Sequence, residues 1–415
     1  MRDNRPAAGS QRSEFAQVLI LALGFGLVGI DRFMISTLFP VIAKDLHLDY
    51  ADIGTITGAL AIAWGLAALV MGNLADRIGR RAVLVGAMLV FSALIGLSGL
   101  AAGLGSLVLI RILMGLADGA YTPASISATM EASRPDRRGR NIGLQQMTAL
   151  LFGLGFAPLL IPQLLHLIDW RWVFILFAPP GALLVWLTYR ILPPHTRHED
   201  HVQDRSSLKD WGEVFRYRNI RIGMGLMLTW LTCLVTVSAF MPNYMLDHLH
   251  MQFADMGTAM SAIGLGGAIG TILLPWLSDH IGRKAVMLGG TIGATGGLIA
   301  LSLCGPNVLA LFACLFAIMF CVMALITLTV GPLCQETVPL RLAATASGLV
   351  IAVGELFGGG LAPILAGHVA QSFGIGHVLW LPIATMLIGI FLCLMTEETA
   401  SPVRRSTEDA PSAPV

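Results

Sequence analysis

Charge is what this chain has least of. Asp, Glu, Lys and Arg together make up 12% of its 415 residues, where an average soluble domain carries about 25%. A soluble body of this length needs a charged surface, so the shortage excludes one and leaves lipid as the surrounding medium. Phosphate-cradling signatures are missing as well. No G-x-x-x-x-G-K-[ST] occurs and no soluble stretch is long enough to host a nucleotide domain, which excludes ATP-driven pumping by this chain alone. Cysteine is sparse: the six (Cys233, Cys304, Cys314, Cys321, Cys334, Cys393) lie in or at the ends of apolar segments with no paired spacing. They read as small packing residues, not as a disulfide framework or a metal site. The histidines are scattered over the chain, and His248 with His250 is a weak metal signal, so neither a metal, a cofactor nor an enzyme active site is expected. The net charge of +1 singles out no charged partner, and no nucleic acid is expected.

Apolar residues fill the space that charge leaves, at 55% of the chain with a mean hydropathy of +0.76. Twelve apolar stretches are each long enough to cross ~30 Å of hydrocarbon as a helix. Their approximate spans are 17–41, 52–73, 82–103, 106–130, 141–166, 171–192, 219–246, 254–277, 285–304, 307–333, 343–370 and 375–396. The fold class expected is all-α integral membrane, with twelve transmembrane helices in two six-helix bundles. Residues 1–16 read as a tail, 17–192 as the first bundle, 193–218 as a hydrophilic linker, 219–396 as the second bundle and 397–415 as a second tail. Within the linker, Trp211 and Phe215 suggest a short amphipathic helix on the membrane surface. The first apolar run shows no small-residue cleavage site and is expected to stay as the first span.

The distribution of Lys and Arg sets the orientation. With both termini in the cytoplasm, inner segments hold 22 of the 26 Lys and Arg, and outer loops hold only Lys44 and Arg171. The remaining two, Arg32 and Arg111, fall inside spans. An ionisable group at the bilayer centre costs about 2.5–3.5 kcal/mol on insertion scales, so each one needs a reason. Asp31 lies mid-span in span 1, Asp118 in span 4 and Glu355 in span 11. Arg32 is about 100° around the helix from Asp31, so the two cannot face one neighbour. Arg111 and Asp118 are two turns apart and share a face, about 10 Å along the axis. By position alone Arg111 is also a snorkelling candidate.

Three acids and one base near the midplane cannot all be ionised in a low dielectric, so at least one acid is expected to bind and release a proton. Arg32 keeps its charge and is the natural anchor for a substrate carboxylate. Static alternatives stand beside these readings: an Asp31–Arg32 pair pinning span 1, and a permanently protonated Asp118 in helix packing. Glu355 reads as a contact to substrate or a closure from the second bundle. Gln146, about one turn into span 5, is a candidate polar contact. Trp64 and Trp230 read first as packing and second as aromatic surfaces for a ligand.

Gly72-Asn73-Leu74-Ala75-Asp76-Arg77-Ile78-Gly79-Arg80-Arg81 follows span 2, and Pro275-Trp276-Leu277-Ser278-Asp279-His280-Ile281-Gly282-Arg283-Lys284 follows span 8, 203 residues later. A loop repeated at half-chain spacing marks two similar bundles in tandem. With two sets of six spans, this motif resembles that of the major facilitator superfamily across essentially the whole chain. The resemblance implies that Asp76 sits near the start of span 11, and that Gly72, Arg77, Gly79, Arg80, Arg81, Asp279 and Arg283 serve conformational gating. It also implies a proton-transfer role for Arg111 and a carrier that works as a monomer.

A narrower likeness joins Asp31-Arg32-Phe33-Met34-Ile35-Ser36, Arg111-Ile112-Leu113-Met114-Gly115-Leu116-Ala117-Asp118-Gly119 and Trp170-Arg171-Trp172-Val173-Phe174. These segments are similar to the anion:cation symporters of organic anions and sugar acids. That family implies proton coupling and anion binding at Asp31, Arg32 and Asp118. This chain has Asp118 where Glu is usual, Gly29 where Tyr is frequent, and Trp64, Ala68 and Val70 in place of Tyr, Gln and Pro. The substitutions describe a pocket less hydroxylated and more aromatic than one built for a sugar acid. The function implied is proton-coupled symport of a small organic anion, by alternating access in the inner membrane of a bacterium. The alternative is a proton-coupled drug or metabolite efflux antiporter of the same fold. Such antiporters carry a Gly-Pro motif in span 5, where this chain has Gly153-Leu154-Gly155-Phe156-Ala157-Pro158.

Overall fold

A computed structural model describes residues 8–134, 137–193 and 208–400, without the side chains at 8–12, 69–78, 208–210 and 340. Every regular element among the described residues is helical. Twelve of the helices are long and apolar enough to cross a membrane. They are α1 (Ala8–Leu46), α2 (Tyr50–Ile78), α3 (Arg80–Ser98), α4 (Leu104–Ala132), α5 (Arg138–Leu165) and α6 (Trp170–Ile191). The second six are α7 (Arg218–His248), α8 (Phe253–Ile281), α9 (Arg283–Leu303), α10 (Val308–Thr337), α11 (Ala343–Phe373) and α12 (Ile375–Met395). Hydrocarbon supplies no hydrogen-bond partner, so a spanning segment closes its own backbone bonds as a helix. In the most apolar windows of α1 and α7, 78% and 89% of residues are buried, against 22% in α6 and 33% in α12. The first pair is therefore enclosed by neighbours and the second faces lipid.

Four helices carry wide turns in which the hydrogen-bond ladder steps to the fifth residue. These are Leu151–Phe156 in α5, Tyr244–His248 in α7, Thr329–Leu333 in α10 and Gly354–Leu361 in α11. Pro332 lies inside its turn, Pro158 and Pro363 stand two residues after theirs, and Pro242 stands two residues before the turn in α7. Proline offers no N–H and its ring crowds the carbonyl four residues back, and the ladder is re-spaced around the gap.

Contacts group the chain into two compact units, Met1–Leu48 with Ala59–His198, and Asp49–Gly58 with Glu199–Val415. In the second unit the first turns of α2 lie directly on α11. A Cβ on Gly54 would stand 2.3 Å from the Pro363 carbonyl oxygen, and one on Gly367 2.7 Å from that of Tyr50. The Tyr50 hydroxyl donates to Asp247 at 3.0 Å, and its backbone N–H donates to Gln371 at 3.2 Å.

The half-chain repeat is written into the backbone. Gly79 and Gly282 both have φ of 100°, in the left-handed region where only glycine is unstrained. Each is the single residue by which the chain reverses between two helices. At the same spacing, His47 and His250 both adopt φ of 54°. They stand in matching segments, Leu46-His47-Leu48-Asp49-Tyr50-Ala51-Asp52-Ile53-Gly54 and Leu249-His250-Met251-Gln252-Phe253-Ala254-Asp255-Met256-Gly257.

Candidate functional site

Glycine brings the site's helices to backbone contact. A Cβ on Gly29 of α1 would lie 2.2 Å from the Ala149 carbonyl oxygen of α5, and one on Gly153 would lie 2.2 Å from that of Gly29. Gly115 and Gly119 of α4 press likewise on the Leu60 and Trp64 carbonyls of α2, at 2.3 and 2.6 Å. Small residues one turn apart permit such approach in lipid. Gly153→Leu should therefore destabilise the first unit by about 3 kcal/mol or more, because the obstructing atoms are main chain and cannot swing away. Thermal unfolding in detergent, with size-exclusion profiles, checks this; an unchanged midpoint would contradict the packing described.

Between these crossings lies a sealed charged cluster. Asp31 and Arg111 are 0% exposed and Asp118 1%. Arg111 Nη1 donates to the Asp31 carbonyl oxygen at 2.8 Å and stands 3.5 Å from Asp31 Oδ1. Its Nη2 reaches Ser98 Oγ at 3.4 Å, and Ser98 in turn donates to the Leu94 carbonyl. The charges acting on Asp118 are those of Asp31, Arg32 and Arg111. Neither carboxylate receives a hydrogen bond on either oxygen, and Arg111 Nε donates none. Buried polar atoms are rarely left so, and two acids beside one sealed cation form an arrangement with charge to spare. Full burial removes the snorkelling reading of Arg111.

Arg32 points elsewhere, as the rotation between consecutive helical residues requires. It is half-buried, with its guanidinium carbon 5.4 Å from the Trp64 ring centroid and 5.7 Å from that of Phe33. Thus Asp31, Arg32, Trp64, Arg111 and Asp118 are brought together inside the first unit. Gln146 is exposed, whereas its neighbour Gln145 is fully buried with both amide atoms unpartnered. Glu355, 4% exposed, belongs to the second unit, in the wide-turned segment of α11. Gly354 and Gly358 flank it, where an added Cβ would lie 2.4 Å from Met227 and 2.5 Å from the Leu228 carbonyl oxygen of α7. Trp230 of α7 is fully buried, with its indole nitrogen unpartnered.

The arginines of the repeated motif tie their turns to helix ends of their own unit. Arg80 pairs with Glu131 at the end of α4, and Arg81 lies 4.3 Å over the Tyr189 ring of α6 while donating to the Tyr189 carbonyl. Arg283 pairs with Asp279 at 2.5 Å and with Glu336 at 2.9 Å near the end of α10, and donates to Ser278 at 2.5 Å. Glu398 accepts from the backbone N–H groups of Arg283 and Lys284, at 2.9 and 3.1 Å, where a carboxylate meets the positive end of α9. The side chains of Gly72, Asp76 and Arg77 lie outside the described residues, so the expected place of Asp76 near α11 does too.

The family description Major Facilitator Superfamily matches residues 21–356. The chain belongs to the major facilitator superfamily. It is similar to the sialic acid transporter NanX of Escherichia coli K12, 28% identical over 385 residues, covering 90% of this chain and 91% of that protein. It is also similar to the D-galactonate transporter of Escherichia coli O6:H1, at 24% identity over 92% of this chain and 95% of that one. Among solved structures, a bacterial homolog of the human lysosomal transporter Spinster, inward-facing and unoccupied, shares the fold. The TM-score is 0.79 at 18% identity, covering 96% of this chain and 99% of that one.

As a superfamily member the chain is a multi-pass membrane transporter, and twelve helices among its described residues are long and apolar enough to span a membrane. Several residues of the candidate site escaped the sequence reading. Gln145 lies one position from Gln146, and nothing local separates the two. Glu131 and Glu336 had a signal, a Glu three or four residues before Pro-x-Arg at the ends of spans 4 and 10. The Gly115-x-x-x-Gly119 pair that brings α4 onto the α2 backbone at Leu60 and Trp64 was also readable, as small residues one turn apart.

Proposed function

We propose that this superfamily member is a proton-coupled symporter carrying a small organic anion, a carboxylate, inward across a bacterial cytoplasmic membrane by alternating access. Both termini face the cytoplasm in this reading, which rests on the Lys and Arg asymmetry. The observation that carries the proposal is the sealed set of two carboxylates and one guanidinium beside a second, half-buried guanidinium. With both acids ionised, one negative charge in the set lacks a partner, at a cost of several kcal/mol. A proton on Asp31 or Asp118 removes that cost, and its loss restores it. Arg32, backed by Trp64 and Phe33, takes the substrate carboxylate through a two-pronged charged contact. Arg111 holds the acids while the proton moves between them. The names of two similar carriers, for sialic acid and D-galactonate, support an acid as cargo. Glu355 contributes from α11, Gln146 and its buried neighbour Gln145 from α5. Gly72, Asp76, Arg77, Gly79, Arg80, Arg81, Asp279 and Arg283 hold or release the turns as the carrier changes state. The carrier works as a monomer with the proton as its coupling ion.

The test begins with thermal-shift screening of the purified carrier against mono- and dicarboxylates, aromatic acids and sugar acids. Uptake of the hits into proteoliposomes follows. Uptake should rise when the outside is more acidic than the lumen and vanish with a protonophore. Saturable uptake indifferent to the protonophore would remove the coupling, and accumulation only under the opposite gradient would favour the antiporter. Asp76→Asn should lower the maximal rate about tenfold while the substrate Kd stays within about threefold, since differential contacts shift state populations and not the anion site.

A further inference from the structure

Outside the charged cluster, the first unit contains a cavity of about 280 Å³ where the start of α1 meets the start of α5. Phe15 and Leu19 of α1 and Leu144 of α5 line it together with Arg137 and Arg140, and Leu144 lies one helical turn beyond Arg140. The three apolar side chains are 69%, 42% and 45% exposed. Arg137 and Arg140 are three residues apart at a helix start, which places them side by side. Glu14 also lines the cavity, and its carboxylate is engaged by the turn before α5. There it accepts from the Arg134 backbone N–H at 3.3 Å and from the Asn141 amide at 3.4 Å, and that amide donates also to Ser133 at 2.8 Å. The surrounding turn is rich in cations (Arg134, Arg137, Arg138 and Arg140), and the balance stays positive with Glu14 and Asp136 counted.

An apolar wall beside a pair of guanidiniums, in a crevice between two membrane helices, matches a ligand that is half hydrocarbon and half phosphate. A soluble anion would leave Phe15 and Leu19 uncovered. A zwitterionic lipid would bring its ammonium against the arginines. We propose that this cavity binds one anionic phospholipid, its phosphodiester held by Arg137 and Arg140 and an acyl chain lying over Phe15, Leu19 and Leu144. The assignment to the inner leaflet rests on the orientation proposed above; the binding itself is read without transport. A lipid so placed would link α1, which carries Asp31 and Arg32, to α5.

The test uses the full chain, purified in a neutral detergent. Phosphatidylglycerol should raise the unfolding midpoint more than phosphatidylcholine does. Native mass spectrometry should show one retained phosphatidylglycerol. Arg140→Gln, at an exposed position, should weaken retention about tenfold, and Arg137→Gln with Arg140→Gln more. Leu144→Trp fills the cavity and leaves the charge intact, so it should reduce retention as well, which a purely electrostatic attraction would not show. Equal phosphatidylglycerol retention in the native protein and in all three variants would overturn the proposal. A midpoint shift of the same size from inorganic phosphate or glycerol 3-phosphate would overturn it too, because the site would then serve a soluble anion.

Discussion

Replacing Arg32 with alanine should abolish anion uptake while the protein still folds. A charged hydrogen bond contributes about 1.5–3 kcal/mol, and each 1.4 kcal/mol is a tenfold change, so losing the guanidinium should weaken binding at least 10- to 100-fold. Arg32 is half-buried over two aromatic rings, so its removal empties space beside Trp64 and leaves buried Asp118 to the charge of Arg111, while the Arg111–Asp31 contact stays in place. The unliganded unfolding midpoint should move little, and the substrate-induced rise in that midpoint should disappear. Arg32→Lys separates charge from shape. Lysine keeps the positive charge but not the planar fork, and should restore only part of the affinity. Unimpaired uptake by the alanine variant would remove the anchor.

Arg111→Met should have the opposite profile, a loss of stability before any question of transport arises. Arg111 is the fully buried cation beside Asp31 and also acts on Asp118. Removing one partner of a buried pair costs about 3–5 kcal/mol, because the charge left behind can neither reach water nor find a partner. The Asp31 carbonyl and Ser98 lose a donor as well. Methionine fills similar volume, so the loss reports charge and hydrogen bonding more than packing. Asp31→Asn in the same chain should recover a large part of the stability by removing the stranded charge. Unfolding midpoints of the single and double variants measure the coupling. Strict additivity of the two would mean that the cluster is not an interacting unit.

The sequence carried the architecture because lipid makes few demands and enforces them strictly. Length, apolar composition and absent charge sufficed for twelve helices, and a ten-residue motif recurring at half-chain spacing sufficed for the tandem halves. That Asp31 and Arg32 diverge was equally readable, since one residue step turns a helix by a known angle. Distances between helices were not. Nothing local says that Arg111 closes on the main-chain carbonyl of Asp31, 80 residues away, or that Glu14 of α1 reaches the turn after α4. The choice of Gln146 over Gln145 shows the same limit. Both fit a polar contact, and only the packing of α5 on α1 through Gly29 and Gly153 decides which amide turns inward. The wide turns were half legible: each sits at a proline visible in the sequence, but a proline can also kink or end a helix. The matching segments around His47 and His250 were a second half-chain repeat, weaker in residue identity than in backbone angle.

The most direct test of the coupling chemistry compares two assays of one variant, Asp118→Asn, in proteoliposomes. Asparagine keeps the size of the side chain and cannot ionise. Exchange of labelled for unlabelled anion needs no net proton movement, whereas accumulation driven by an acidic exterior does. The account predicts exchange near the native rate and accumulation reduced to the level seen with a protonophore. Loss of both would assign Asp118 to structure or to holding the anion, and full retention of gradient-driven accumulation would contradict proton coupling at this cluster.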